Sequence, residues 1–176
     1  MKKLLIKLFI CIITIFSFTG CYTLWKFYFY ETKPMDKSLS FSEYIYLYAE
    51  QLDDSDKNSP IDMISIEPVN FAGLKKSKKV ELLSDKITAE YNGKKYTLKV
   101  VNKTAVLPFK EGVILKEGTI VYFGKVKVDD KMIIDMPPVK LKQYIKVTKV
   151  NPIADGLNIN TVQDIYYGPA EGYKGR

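Results

Sequence analysis

The stretch Lys86-Ile87-Thr88-Ala89-Glu90-Tyr91-Asn92-Gly93-Lys94-Lys95-Tyr96-Thr97-Leu98-Lys99 decides the fold class. Asn92-Gly93 is the strongest short-range signal for a two-residue hairpin turn, because both residues tolerate the positive φ that a type I′ turn demands. Pairing outward from Tyr91 opposite Lys94 sets Ala89 across from Tyr96 and Ile87 across from Leu98 on one face. The other face pairs Glu90 with Lys95, Thr88 with Thr97 and Lys86 with Lys99. One face is apolar and the other polar, and a slip of one residue would turn every apolar side chain to water. The sequence therefore predicts a half-buried antiparallel hairpin in this register.

Working outward, β signals recur every eight to twelve residues. Ile61 to Glu67 lies between Pro60 and Pro68, Val80 to Leu83 follows a lysine-rich loop, and Thr104 to Leu107 ends at Pro108. Gly112 to Leu115 is a further short candidate. Thr119 to Val128 reads as a long strand with a bulge or close backbone approach at Gly124. Asp129-Asp130 turns the chain back into Lys131 to Met136, and Pro137-Pro138 breaks the ladder. Val139 to Val150 then places Val139, Leu141, Ile145 and Val147 on one face and Lys140, Lys142, Lys146 and Thr148 on the other. A last strand is expected from Thr161 to Tyr167. This spacing predicts a mainly β fold, an antiparallel β-sandwich or partly open barrel of about seven or eight strands. One short helix is expected before the sheet, from Phe41 to Leu52, because Ser40-Phe41-Ser42-Glu43 matches a capping box and Leu39 can staple against Tyr44. The run Glu43-Tyr44-Ile45-Tyr46-Leu47-Tyr48-Ala49 alternates as a strand would, which leaves the helix contested. Residues 39–167 form a single domain in this reading, and the glycine-rich residues 168–176 a mobile tail.

The chain begins with Lys2, Lys3 and Lys7, continues with an uncharged run from Leu8 to Phe18, and reaches Cys21 through Thr19 and Gly20. That is the three-part form of a bacterial export signal. Phe18-Thr19-Gly20-Cys21 resembles the lipobox of bacterial lipoproteins, whose cysteine receives a diacylglyceryl group and becomes the new N-terminus. The resemblance covers these four positions and the run before them. It implies lipidation at Cys21, a signal peptide over residues 1–20, and a location at the cell envelope, membrane-anchored and outside the cytoplasm. The alternative is an uncleaved anchor over residues 4–25, which as a helix would reach about 33 Å and cross a bilayer core of about 30 Å. Residues 21–38 then read as an aromatic juxtamembrane connector, with Tyr22, Trp25 and Phe27 to Tyr30 at the interface.

Composition narrows the chemistry. Histidine is absent and the two cysteines are Cys11 and Cys21, so the exported domain has no disulfide, no Cys/His dyad and no Ser/His/Asp triad. No phosphate loop, nucleophile elbow or metal-ligand cluster is present, and no cofactor or metal is expected. The net charge is +7, yet Arg176 is the sole arginine among 27 basic residues, so nucleic acid is not the expected partner. Lys75, Lys76, Lys78 and Lys79 form the densest basic run and are candidates for contact with an anionic surface. Asp54, Asp56 and Asn58 have the spacing of the first three ligands of a calcium loop, but Ser59 stands where that loop needs glycine. Asp129, Asp130 and Asp135 at one hairpin, and Glu111 and Glu117 at another turn, are the carboxylates available to a glycan hydrolase. The reading that results is a non-catalytic, membrane-anchored envelope protein whose β domain binds a protein or envelope polymer. An inhibitor or immunity-type lipoprotein is a narrower form of it, and a carboxylate-dependent envelope glycan hydrolase is the competing class.

Overall fold

The hairpin at Asn92-Gly93 forms in the expected register, from Tyr91 opposite Lys94 to Lys86 opposite Lys99. Both turn residues have positive φ, 51° at Asn92 and 73° at Gly93. Ile87, Ala89 and Leu98 on its apolar face are buried. The computed structural model that contains it describes residues 22–34, 43–71, 74–75, 79–151 and 162–175.

Fourteen strands follow in order: β1 (Thr23–Pro34), β2 (Ile45–Gln51), β3 (Ile61–Pro68), β4 (Asn70–Phe71), β5 (Leu74–Lys75), β6 (Val80–Leu82) and β7 (Lys86–Tyr91). The chain continues with β8 (Lys94–Val101), β9 (Ala105–Val106), β10 (Ile120–Tyr122), β11 (Gly124–Val128), β12 (Met132–Met136), β13 (Val139–Val150) and β14 (Gln163–Pro169). Nine of them make one antiparallel sheet in the order β1-β2-β3-β9-β8-β7-β10-β13-β14. β1 also pairs with β13, so the ladder returns to its starting strand. A second sheet of three strands, β12-β11-β6, and the small pair β4-β5 complete the described strands. Phe123, Ile64, Ile66, Leu98, Leu115 and Leu141 are among the largest side chains withdrawn from water in the shared core.

Several expectations are overturned. Thr23 to Pro34 is not a connector: it is a strand whose twelve residues each pair with β13, from Thr23 opposite Val150 to Pro34 opposite Val139. Its apolar residues on both faces resemble an interfacial belt in isolation, but they equally suit a strand with a twelve-residue partner. The end of the alternative anchor, Thr23 to Trp25, is accordingly extended backbone. Among the described residues no helix is long and apolar enough to cross a membrane. Cys21 and the segment before it lie outside the described residues.

The helix expected from Phe41 to Leu52 is likewise a strand, β2. Ile45, Leu47, Ala49 and Gln51 are buried, while Tyr46 and Tyr48 stack on the outer face with ring centroids 6.0 Å apart. Period-two burial and the β preference of aromatic and branched residues outweigh the capping signal, whose Ser40 to Ser42 lie outside the described residues. Gly112 to Leu115 forms no strand; a 3-10 turn at Phe109–Glu111 ends at Gly112, and the Leu115 carbonyl accepts from Ile61 N–H at 2.9 Å. The long strand from Thr119 divides at buried Phe123. β10 stays in the large sheet, and Gly124, with φ of 70°, swings β11 into the small one. Finally, the expected tail is folded structure, since β14 runs to Pro169 and a 3-10 turn at Ala170–Gly172 buries Ala170 against Tyr28, Tyr166 and Tyr173.

Candidate functional site

The outer face where β1, β13 and β14 lie side by side carries the densest aromatic grouping. Alternation along β1 sends Trp25, Phe27 and Phe29 outward. In register, Phe29 meets Tyr144 of β13, and Tyr167 of β14 is opposite Lys146. Ring centroids lie 6.0 Å apart for Phe29 and Tyr144, 5.5 Å for Phe29 and Tyr167, and 6.3 Å for Tyr144 and Tyr167. Trp25 meets Phe27 edge-on at 6.4 Å. Tyr144 is buried by this packing, yet Trp25 remains 46% exposed and Tyr167 61% exposed. A row of rings that is only half covered is an unfinished apolar surface.

The opposite face of the same strands is closed by its own small core. Ile145, Val147 and Ala170 pack with Tyr28, Tyr166 and Tyr173. The Tyr166 hydroxyl donates to the Pro169 carbonyl at 3.0 Å, and a Cβ on Gly168 would come within 2.9 Å of that hydroxyl. A larger residue there would have to push the Tyr166 ring tip aside. Nearer the start of β1, Lys26 Nζ sits 5.5 Å from the Tyr173 ring centroid and Lys149 Nζ 3.7 Å from that of Tyr22. Lys146 contacts Asp164 at 3.1 Å, and Thr148 Oγ1 donates to the same carboxylate at 3.1 Å. The Lys146 hydrogen bond, ahead of that from Thr148, holds Asp164 below the usual carboxylate range.

The basic run is only partly assembled. Lys75 is placed by its backbone in β5, opposite Asn70, whereas Lys76 and Lys78 lie outside the described residues. Lys79 is exposed, but its Nζ reaches Glu81 at 3.1 Å, and Glu81 is shared with Lys103 at 3.6 Å. The carboxylates expected of a hydrolase are occupied in turns. Asp129 Oδ1 accepts from the Lys79 N–H at 2.9 Å, and Asp130 contacts Lys127 at 2.8 Å. The Lys127 hydrogen bond lowers the pKa of Asp130, the opposite of what a general acid needs. Glu111 accepts from the Lys99 N–H at 2.9 Å and Glu117 from the Gln143 N–H at 3.3 Å. Asp135 stands on β12, exposed and opposite Lys125.

The loop that mimics a calcium site is built around two glutamines instead. Gln143 Nε2 donates to Gln51 Oε1 at 3.1 Å and to the Lys57 carbonyl at 2.8 Å. Gln51 Nε2 donates to the carbonyls of Asp53 and Asp56 at 2.6 and 2.8 Å. Asp53 and Asp56 spend a carboxylate oxygen each on the N–H groups of Ser55 and Asn58. Among the described residues no three acidic, histidine or cysteine side chains are grouped to hold a metal ion. Sequence patterns marked the β1 aromatics as an interfacial group but not their row with Tyr144 and Tyr167, and left this glutamine pair unmarked. The signal for the row was the aromatic-rich run Trp25 to Tyr30, interrupted only by Lys26; a lone glutamine inside the apolar face of β13 was the signal for the pair.

No protein-family model, no curated protein and no solved structure matches this chain.

Proposed function

We propose that this is a membrane-anchored protein of the bacterial cell envelope, lipidated at Cys21, whose β domain is a non-catalytic binding module for a protein or envelope polymer. The returning ladder, in which β1 pairs both with β2 and with β13, supports a partly open barrel for that domain; the β1–β2 seam has one strand pair, Tyr30 with Ala49, and a Thr32 Oγ1 hydrogen bond to the Leu47 carbonyl at 3.3 Å. The observation that carries the binding reading is β12. Among the described residues it pairs only with β11, which leaves its outer edge open. That edge, Met132-Ile133-Ile134-Asp135-Met136, lies between Lys131 and Pro137 and carries one charge, Asp135, while its strand has no lysine, proline or bulge of its own and Ile133 is 60% exposed. An open apolar edge accepts a partner strand through its backbone hydrogen bonds, with alternate side chains giving selectivity. An inhibitor or immunity-type lipoprotein would use the same edge.

The test is a photo-crosslinking residue placed at Ile133 in the full chain in living cells, with the same residue at exposed Lys110 as the control. A discrete adduct at Ile133 and none at Lys110 is the expected result. Equal labelling at both positions, or none, overturns the binding reading. The hydrolase alternative is tested on purified chain with cell-wall glycan: product formation that disappears in Asp129→Asn or Asp135→Asn establishes it.

A further inference from the structure

We infer that the start of β1, with Tyr22, Leu24, Trp25 and Phe27, lies in the headgroup layer of the bilayer and fixes the orientation of the β domain on the membrane. This rests on the membrane-anchored reading above.

Tyr22, Leu24, Trp25 and Phe27 are all exposed, and exposed Tyr167 of the adjoining β14 lies 5.5 Å from Phe29 on the Trp25 and Phe27 face. Successive strand residues point to opposite faces, so Tyr22 and Leu24 lie on one side of β1 and Trp25 and Phe27 on the other. No single packed protein layer covers both sides of one strand end. A headgroup layer does, because it surrounds whatever is pushed into it. Tryptophan and tyrosine, with apolar rings and a polar tip, are the side chains that favour that depth.

Lys149 stands against the Tyr22 ring and Lys26 against Tyr173, which sets two cations at the patch, while the turn with Asp53 and Asp54 borders it on the other side, its Asp54 carbonyl accepting from the Tyr28 N–H at 2.7 Å. Chain direction points the same way as the rings. The sequence immediately before Tyr22 is Cys21, the residue that resembles a lipidation site, preceded by the apolar run from Leu8 to Phe18. An anchor ending at residue 21 leaves no tether between the bilayer and Tyr22. The surface nearest the membrane is therefore the one with the rings. β12 joins β13 through Pro137-Pro138 at the Val139 end, whereas Trp25 is opposite Thr148, about 30 Å along the strand. Docking by the β1 end therefore directs the open β12 edge away from the lipid.

Trp25 is the sole tryptophan, which makes its fluorescence a direct reporter. Full chain is reconstituted into phosphatidylcholine–phosphatidylglycerol vesicles and separated by flotation. In the floated fraction, lipids brominated close to the headgroup are expected to quench Trp25. Aqueous iodide is expected to quench it roughly threefold less than in a Trp25→Phe, Ile133→Trp variant, whose reporter sits on the β12 edge. Moving the reporter by Trp25→Phe with Phe27→Trp is expected to preserve the bromolipid quenching. A chain that floats while iodide reaches Trp25 freely overturns the docking and leaves the anchor standing. Trp25 shielded from iodide and bromolipid alike means that protein, such as a second copy, covers the surface, which also overturns it. A chain that does not float overturns both readings.

Discussion

Gln143 is the polar residue on the apolar face of β13, and it is buried. Its Nε2 bridges Gln51 and the Lys57 carbonyl and so ties the loop over residues 52–60 to the sheet. In Gln143→Leu the volume is nearly kept, but the Gln51 carbonyl oxygen and the Lys57 carbonyl lose their donor. Leaving buried acceptors unpaired costs about 1–3 kcal/mol. Urea unfolding should register that loss, and limited proteolysis should cut within residues 52–60 sooner than in the parent. Unchanged stability would mean that the bridge is dispensable. Tyr30 offers a pH test at the same scale. Burial, with the nearby Glu117 and Tyr91 adding to it, pushes its phenol up to about 12 from an ordinary value near 10. The folded state thus keeps a proton that the unfolded chain gives up. The contribution of Tyr30 to stability is complete below pH 10 and is lost as pH rises through about 12. Lysines titrate in this window too, so the informative quantity is the difference between the parent and Tyr30→Phe. The parent should lose stability more steeply between those limits, and parallel curves would remove Tyr30 from the account.

Among the elements, the β7–β8 hairpin is where sequence and fold agree most closely, because its turn chemistry and its alternation act within fourteen consecutive residues. Gly93 takes φ of 73° with nothing near its missing Cβ, so Gly93→Ala meets backbone strain and no clash. The expected cost is about 1–2 kcal/mol in chemical denaturation, with the register kept in cross-strand nuclear Overhauser contacts. β1 and β2 were not legible in the same way. Their partners are remote or their local signals conflict: β1 is defined by β13, and in β2 a capping box competes with strict alternation. Gly124 was readable as an irregularity, but not as a crossing between sheets, because both halves of that run are equally apolar and only tertiary pairing separates them. At the site, the lysine run and the carboxylates stood out as dense charges, yet the described ones are largely held by neighbours. The aromatic row depends on placing β1, β13 and β14 side by side, information that no local window contains.

At the scale of the whole molecule, the proposed lipid anchor makes the location of the β domain hang on Cys21, before its first strand. Cys21→Ala should abolish incorporation of labelled fatty acid and leave the chain at its unprocessed size. Metabolic labelling followed by membrane fractionation reads both. Loss of label together with retention of residues 1–20 in the variant, against a labelled and shortened parent, supports the lipid anchor, while an unlabelled parent that stays in the membrane at full length points to the uncleaved segment. The same first strand also sets a clock. β1 is made before β13, in which each of its twelve residues finds a partner on the order of a hundred residues later, while β2 supplies one pair at Tyr30. A nascent chain therefore carries an aromatic strand without its main partner until β13 has emerged. Closure must be a late folding event, and whatever shields Trp25 to Tyr30 during that wait decides whether the chain folds or aggregates.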